Sequence, residues 1–296
     1  MKKIISILFG LTIAGFFIVG CVNHGSRAEN EKLTAEQMAF KELYTELEAV
    51  NQSFIGTDDS VPMTRAWNWK KFFAVGLCDV LGAAGGVWGA VGASALAATL
   101  IELLDLEVTF GEWPRRNMAG PNYIVAMETS QYPGESMGYY HNSLLLSAYD
   151  KAPSEFFNMD IEEKIVLLGE AYEDLYNVAP EEFDVDGWTV IIENIIDLMD
   201  TYVSELYLAT TPPMQEPSYI SYVQELFPGN DSEWAVFGLY FEGHIKTIID
   251  GRDTGTYYQA FRNVVLHSAV GDDSKEFIMS LTSVAAASSE LWEISE

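Results

Sequence analysis

Ile161-Glu162-Glu163-Lys164-Ile165-Val166-Leu167-Leu168-Gly169-Glu170-Ala171-Tyr172-Glu173-Asp174-Leu175-Tyr176 is the stretch whose reading decides the fold class. Ile161, Ile165, Leu168, Tyr172 and Leu175 recur at steps of four and three, while Glu162, Glu163, Glu170, Glu173 and Asp174 fall off that stripe. This period puts the apolar side chains on one face of an α-helix and the acids on the solvent side. The pattern recurs along the chain: His141, Leu144, Leu145 and Ala148 share one stripe, and Trp188, Ile192, Ile195, Met199, Tyr202 and Leu206 another. Trp234, Phe237, Phe241, Ile245 and Ile248 form a third, and Tyr258, Phe261, Val265 and Ala269 a fourth. Asp272-Asp273-Ser274, after Gly271, reads as the start of a last helix running through Leu291. Pro212-Pro213 and Pro228-Gly229 separate these units. Helical stripes joined by short breaks, without alternating β patterns, predict an all-α, multi-helix domain.

Working outward toward the N-terminus, Glu31 to Phe54 is a further amphipathic helix, with Leu33, Phe40, Leu43, Leu47 and Val50 at helical spacing. Gly56 to Ser60 and Pro62 end it. Next come an aromatic and basic lead, Arg65 to Phe73, and then Val80 to Ile101, in which no residue is charged. Small residues there repeat every four positions: Gly82, Gly86, Ala90, Ser94 and Ala98 in one row, Gly85, Gly89, Ala93 and Ala97 in another. On a helix each row makes a flat ridge that another backbone can approach closely. The five glycines each cost about 1 kcal/mol in helix propensity, so packing must compensate. This glycine-zipper-like helix is read as buried in the domain, with insertion into a membrane as the alternative, because 22 uncharged residues suffice to cross one. It loosely resembles the glycine-zipper pieces of bacteriocin-like and pore-forming peptides.

From Asp105 the pattern loosens, punctuated by Trp113-Pro114, Gly120-Pro121 and Tyr132-Pro133; Asn122 to Met127 could be a short strand, but one strand makes no sheet. The organisation expected is a leader over 1–20, a tether over 21–32, an N-terminal helical region over 33–104, an irregular connection over 105–135 and an acidic helical domain over 136–296.

The composition restricts partners. Against 44 acidic side chains stand 16 basic ones, a net charge of −28 over 296 residues. Nothing on such a chain could neutralise phosphates, so no nucleic-acid partner is expected. At 49% apolar and 13% aromatic it is too hydrophobic for a disordered acidic chain. Residues 150–200 carry 15 of the acids against Lys151 and Lys164, a distribution expected for solvated helix faces.

Lys2 and Lys3 precede the uncharged run Ile4 to Val19, which ends Ile18-Val19-Gly20-Cys21. The run is short for a membrane span and has the shape of a leader. Residues 1–21 resemble the signal of bacterial lipoproteins, whose lipobox places small residues before a cysteine. The resemblance implies cleavage before Cys21, lipidation of its thiol and a mature chain with a charge of −30. It also implies a membrane anchor at the cell envelope. Val22 stands where enteric lipoproteins carry a retention aspartate, which favours the outer membrane. Several acyl chains on one residue make a stable anchor. Cys78, the other thiol, reads as a small core residue.

Three motifs could carry chemistry. Gly134-Glu135-Ser136-Met137-Gly138 fits G-x-S-x-G, the nucleophile elbow of α/β-hydrolases, with His244 or His267 as a possible base. The elbow needs a strand running straight into it, and Pro133 stands there instead. Serine-hydrolase activity at Ser136 is therefore the least favoured reading, and an enzyme is not expected. The same residues within Pro133 to Asn142, followed by Leu144 and Leu145, fit P-x-[DE]-x-x-G-x-x-H-N-x-x-L. This segment resembles one found in uncharacterised exported proteins of Bacteroidota and related gut bacteria, and the resemblance brings no activity with it. His141 on its apolar stripe reads as a hydrogen-bonded core residue, or, with Asn142, as the lining of a cleft. No H-E-x-x-H or H-x-x-x-H occurs, so no zinc site is expected. Finally, Glu182-Phe183-Asp184-Val185-Asp186-Gly187-Trp188-Thr189-Val190-Ile191-Ile192-Glu193 aligns with a calcium-binding EF-hand loop, offering Glu182, Asp184, Asp186 and Glu193 as oxygen ligands. The departures are Glu182 at the first position, Val190 without a side-chain oxygen and Thr189 in place of an aliphatic residue. A helix start with its carboxylates at the positive end is the simpler reading.

Overall fold

The computed structural model describes residues 34–54, 108–110, 131–176, 229–250 and 252–294. Helix α1 spans Ala35–Phe54, strand β1 Val108–Phe110, α2 Met137–Lys151, α3 Ile161–Tyr176, α4 Glu233–Ile249, α5 Thr254–His267, α6 Asp272–Leu291 and strand β2 Trp292–Ile294. A 3₁₀ turn, Pro133–Ser136, leads into α2, and another, Phe156–Asn158, follows it. The all-α, multi-helix architecture expected from the periodicity is the one observed.

Local chemistry explains the helix starts. Thr34 and Gln37 form a reciprocal capping box for α1, at 3.2 Å and 3.0 Å, and Asp160 and Glu163 do the same for α3, at 2.8 Å and 3.2 Å. Ser232 accepts from the Ala235 amide ahead of α4, and Asp253 from the Gly255 amide ahead of α5. The Gly271 carbonyl accepts from the Lys275 amide, so α6 begins at Asp272 with two acids in its first turn.

Helix α6 is the centre of the fold: α2, the Pro133–Ser136 turn, α4 and α5 all pack on it, and α1 lies across α4 and α5. A helix surrounded in this way has no solvent stripe, and its composition fits. Ile278 to Ser288 is buried without a break, and most of it is Ala, Ser and Thr. The hydroxyls cost little there because they bond back to their own helix: Ser280 donates to the Glu276 carbonyl at 2.8 Å and Thr282 to the Ile278 carbonyl at 2.9 Å. Around this small-residue axis the stripes supply bulk, with Phe237, Phe241, Ile245, Tyr258, Phe261 and Val265 fully buried.

Several details depart from the sequence reading. Helix α1, from the N-terminal helical region expected over 33–104, shares one core with the C-terminal helices through Phe40, Leu43 and Leu47. Within the stretch expected to be irregular, β1 pairs antiparallel with β2, with Thr109 opposite Glu293. Three-residue strands are too short for an alternation to be visible in sequence. The fourth stripe ends at Val265, because α5 ends at His267 and leaves Ala269 exposed.

Cys21, Cys78, Val80 to Ile101, Asn122 to Met127, the 182–193 loop and the Trp188 to Leu206 stripe lie outside the described residues. Among the described residues no helix is long and apolar enough to cross a membrane, and no group of three His, Cys, Asp or Glu could hold a metal ion.

Candidate functional site

The segment that fits two motifs at once, Pro133 to Asn142, lies against α6 along its whole length. Pro133 opens the 3₁₀ turn, where its fixed φ and missing N–H cost nothing. Two glycines then touch the central helix. A Cβ on Gly134 would stand 2.3 Å from Ser280 Oγ and 2.5 Å from the Glu276 carbonyl oxygen; one on Gly138 would stand 2.2 Å from the Ser283 carbonyl oxygen. Only hydrogen at these positions allows so close an approach. The Ser283 hydroxyl uses that proximity, accepting from the Gly138 amide at 3.2 Å and donating to the Gly134 carbonyl at 2.8 Å.

Between the glycines, Glu135 is completely buried. Its two oxygens meet Arg262 Nη2 of α5 at 3.1 Å and 3.0 Å, and one of them also accepts from the Gln131 amide at 3.0 Å. Facing it from α6 is Glu276, whose Oε1 accepts from the Gly134 amide at 2.7 Å. Burial holds the Glu276 carboxyl above the usual carboxylate range; the Gly134 N–H works against this, and the Glu135 carboxylate adds to it. Burial likewise pushes the Tyr258 phenol up, so it stays protonated beside Arg262 and Glu135.

Ser136, the candidate nucleophile, is buried, and its hydroxyl donates to the Pro133 carbonyl at 2.7 Å. It closes a 3₁₀ turn preceded by bends at Gln131 and Tyr132, not a strand-to-helix elbow. Neither candidate base is placed beside it by a hydrogen bond to its hydroxyl. His267 is exposed, with Nδ1 donating to the Asn263 carbonyl at 2.7 Å. His244 is buried in the aromatic core, stacked on Tyr240 with centroids 5.3 Å apart, and burial lowers its pKa to about 3.

His141 and Asn142 are both fully buried rather than open to a cleft. His141 Nδ1 lies 2.8 Å from Asn142 Oδ1, an oxygen that can only accept, so Nδ1 carries the proton. Asn142 Nδ2 in turn donates to the Ala287 carbonyl of α6 at 2.9 Å. The pair fastens α2 to α6 one turn before its end, and its chemistry is the satisfaction of a main-chain acceptor inside the core.

Sequence reasoning missed a second polar joint. Asn51 of α1 donates to the Leu239 carbonyl at 2.9 Å, and its Oδ1 accepts from the Tyr257 hydroxyl at 2.8 Å, joining α1, α4 and α5. The available signals were Asn51 on the stripe of Leu43, Leu47 and Val50, and Gly243 on α4, where a Cβ would stand 2.2 Å from the Tyr257 hydroxyl oxygen.

Compared with known proteins, the chain matches no family model, no curated protein and no solved structure.

Proposed function

We propose that this chain is a lipid-anchored protein of the bacterial cell envelope, held at the outer membrane through Cys21, whose acidic helical domain binds a partner or serves a structural role. The observation that carries this reading is the sequence Lys2-Lys3, an uncharged run, and Val19-Gly20-Cys21. Support for a non-catalytic role comes from the Pro133–Asn142 segment: Glu135, Gly138 and Asn142 bond to α5 and α6, while Ser136 and His141 are buried and bond within the segment itself. A fluorophosphonate probe is accordingly expected to leave Ser136 unlabelled. The test of the anchor is incorporation of labelled palmitate in cells, followed by detergent phase separation. The wild type should carry label and enter the detergent phase, and Cys21→Ser should do neither. Unlabelled wild type in the aqueous phase would refute the anchor.

A second reading is favoured by the uncharged length of Val80 to Ile101, which suits insertion into a membrane. Protection of that segment from protease in liposomes supports it, and complete digestion dismisses it. Calcium at Glu182, Asp184, Asp186 and Glu193 is tested by calorimetry on leaderless protein, where no heat at millimolar calcium excludes it.

A further inference from the structure

We propose that Glu276 and the Pro133–Ser136 turn form a proton-operated latch on the central helix, closed while the Glu276 carboxyl is protonated and loosened when it ionises. The geometry supplies one cation for two carboxylates. Arg262 Nη2 bonds both oxygens of the fully buried Glu135. Glu276 holds the Gly134 amide with Oε1, while its Oε2 is buried and bonded to nothing among the described residues. Ionisation strengthens the single Gly134 N–H bond, but it leaves a charge in a desolvated position beside the Glu135 carboxylate with no donor for Oε2, and these two costs outweigh that gain.

Among the described residues the charged groups around the latch are engaged elsewhere, apart from Arg262 Nε, which is buried and makes no hydrogen bond. On α6 itself, Asp272 accepts from the Tyr132 phenol at 2.8 Å, and Lys275 Nζ donates to the Leu266 carbonyl at 3.1 Å. From α4, Glu233 accepts from the Ser274 hydroxyl at 2.7 Å. From α5 come Arg262, engaged with Glu135, and Tyr258, whose phenol is neutral. Helix α2 brings no acidic or basic side chain before Asp150, and His141 is bound to Asn142.

Ionisation sends the proton to solvent, and Glu276, which is only half-buried, can turn its carboxylate outward to water. The Gly134 amide then loses its acceptor. The turn has no slack to follow, since Gly134 already touches Ser280 and the Glu276 main chain. Closely packed joints of this kind separate rather than stretch. Because the folded-state value lies above the ordinary carboxylate range, the closed form is fully favoured below that range. This advantage is lost as pH rises through the folded-state value.

The test uses the full chain. Carboxyl carbon NMR follows Glu276, and hydrogen exchange follows the Gly134 amide, both over about pH 4 to 9. Glu276 should titrate above the ordinary range, and Gly134 protection, corrected for intrinsic rate, should be lost with the same midpoint. Glu276→Gln, which keeps the acceptor and cannot ionise, should hold protection constant across the range. Protection that is unchanged while Glu276 titrates would overturn the latch, as would a Glu276→Gln profile that follows wild type. Should the variant fail to fold, the coincidence of the two wild-type midpoints decides alone.

Discussion

Replacing Gly138 with alanine tests whether the Pro133–Asn142 segment is a close-contact joint. The new Cβ would stand 2.2 Å from the Ser283 carbonyl oxygen, 2.7 Å from its carbon and 2.8 Å from Ala287 Cβ, all on the axis helix. Ordinary contact begins near 3.4 Å, so α2 and α6 must part locally by about 1 Å. Overpacking of this kind costs about 1–3 kcal/mol. A shift of that size also takes the Gly138–Ser283 contact at 3.2 Å, and strains the Asn142–Ala287 contact at 2.9 Å, each worth about 1 kcal/mol. Alanine recovers about 1 kcal/mol in helix propensity. The balance is a loss of about 2–4 kcal/mol, or a drop in Tm of roughly 4–16 °C for a chain of this size. Helical circular dichroism during thermal and urea unfolding reads it directly. Gly271→Ala, where a Cβ meets nothing within 4 Å, should change stability by less than about 1 kcal/mol. A Gly138→Ala protein as stable as wild type would refute the reading that only hydrogen fits against Ser283.

Removing the carboxylate with Glu135→Ala leaves Arg262 facing an empty buried position and should cost about 3–5 kcal/mol in urea unfolding. The double variant Glu135→Gln with Arg262→Met should cost less than that single one; a larger loss would contradict the pairing. Asn142→Leu removes the side-chain donor to the Ala287 carbonyl and strands His141 Nδ1–H, and should lower stability by about 1–3 kcal/mol by the same assay. His244, with its pKa lowered to about 3, stays neutral in the folded protein while the unfolded chain takes up a proton near 6.5. Stability is therefore complete above that value and declines toward pH 3, by a few kcal/mol in all. An imidazole NMR titration of His244 with a midpoint near 6.5 would refute its burial.

What was legible in the sequence is what depends on period. The stripes of Phe237, Phe241 and Ile245, and of Tyr258, Phe261 and Val265, are buried where a 3.6-residue repeat puts them, and the last helix does end at Leu291. His141 was placed on the core face, and the core is where it lies. The role of Glu135 was not legible, because its partner, Arg262, stands 127 residues away and nothing local distinguishes this acid from the solvated ones. Asn51 and Tyr257 were missed for the same reason, their hydrogen bond spanning 206 positions. The centrality of α6 was hidden by its composition. A helix of Ala, Ser and Thr has a weak stripe, and only the neighbours packed around it reveal that Ile278 to Ser288 is interior on every side.

That centrality bears on the order in which the chain becomes a folded body. The helix that α2, α4 and α5 pack on comes after them in sequence, so these three emerge from synthesis without the surface they are shaped to cover. Bonds such as Asn142 to Ala287, 145 positions apart, close only afterwards. Helical proteins with local contacts fold fast; here contacts far apart in sequence must close, and the apolar stripes stay open until they do. Truncation anywhere within Asp272–Leu291 should therefore leave a loose, collapsed set of helices rather than a smaller version of the same fold.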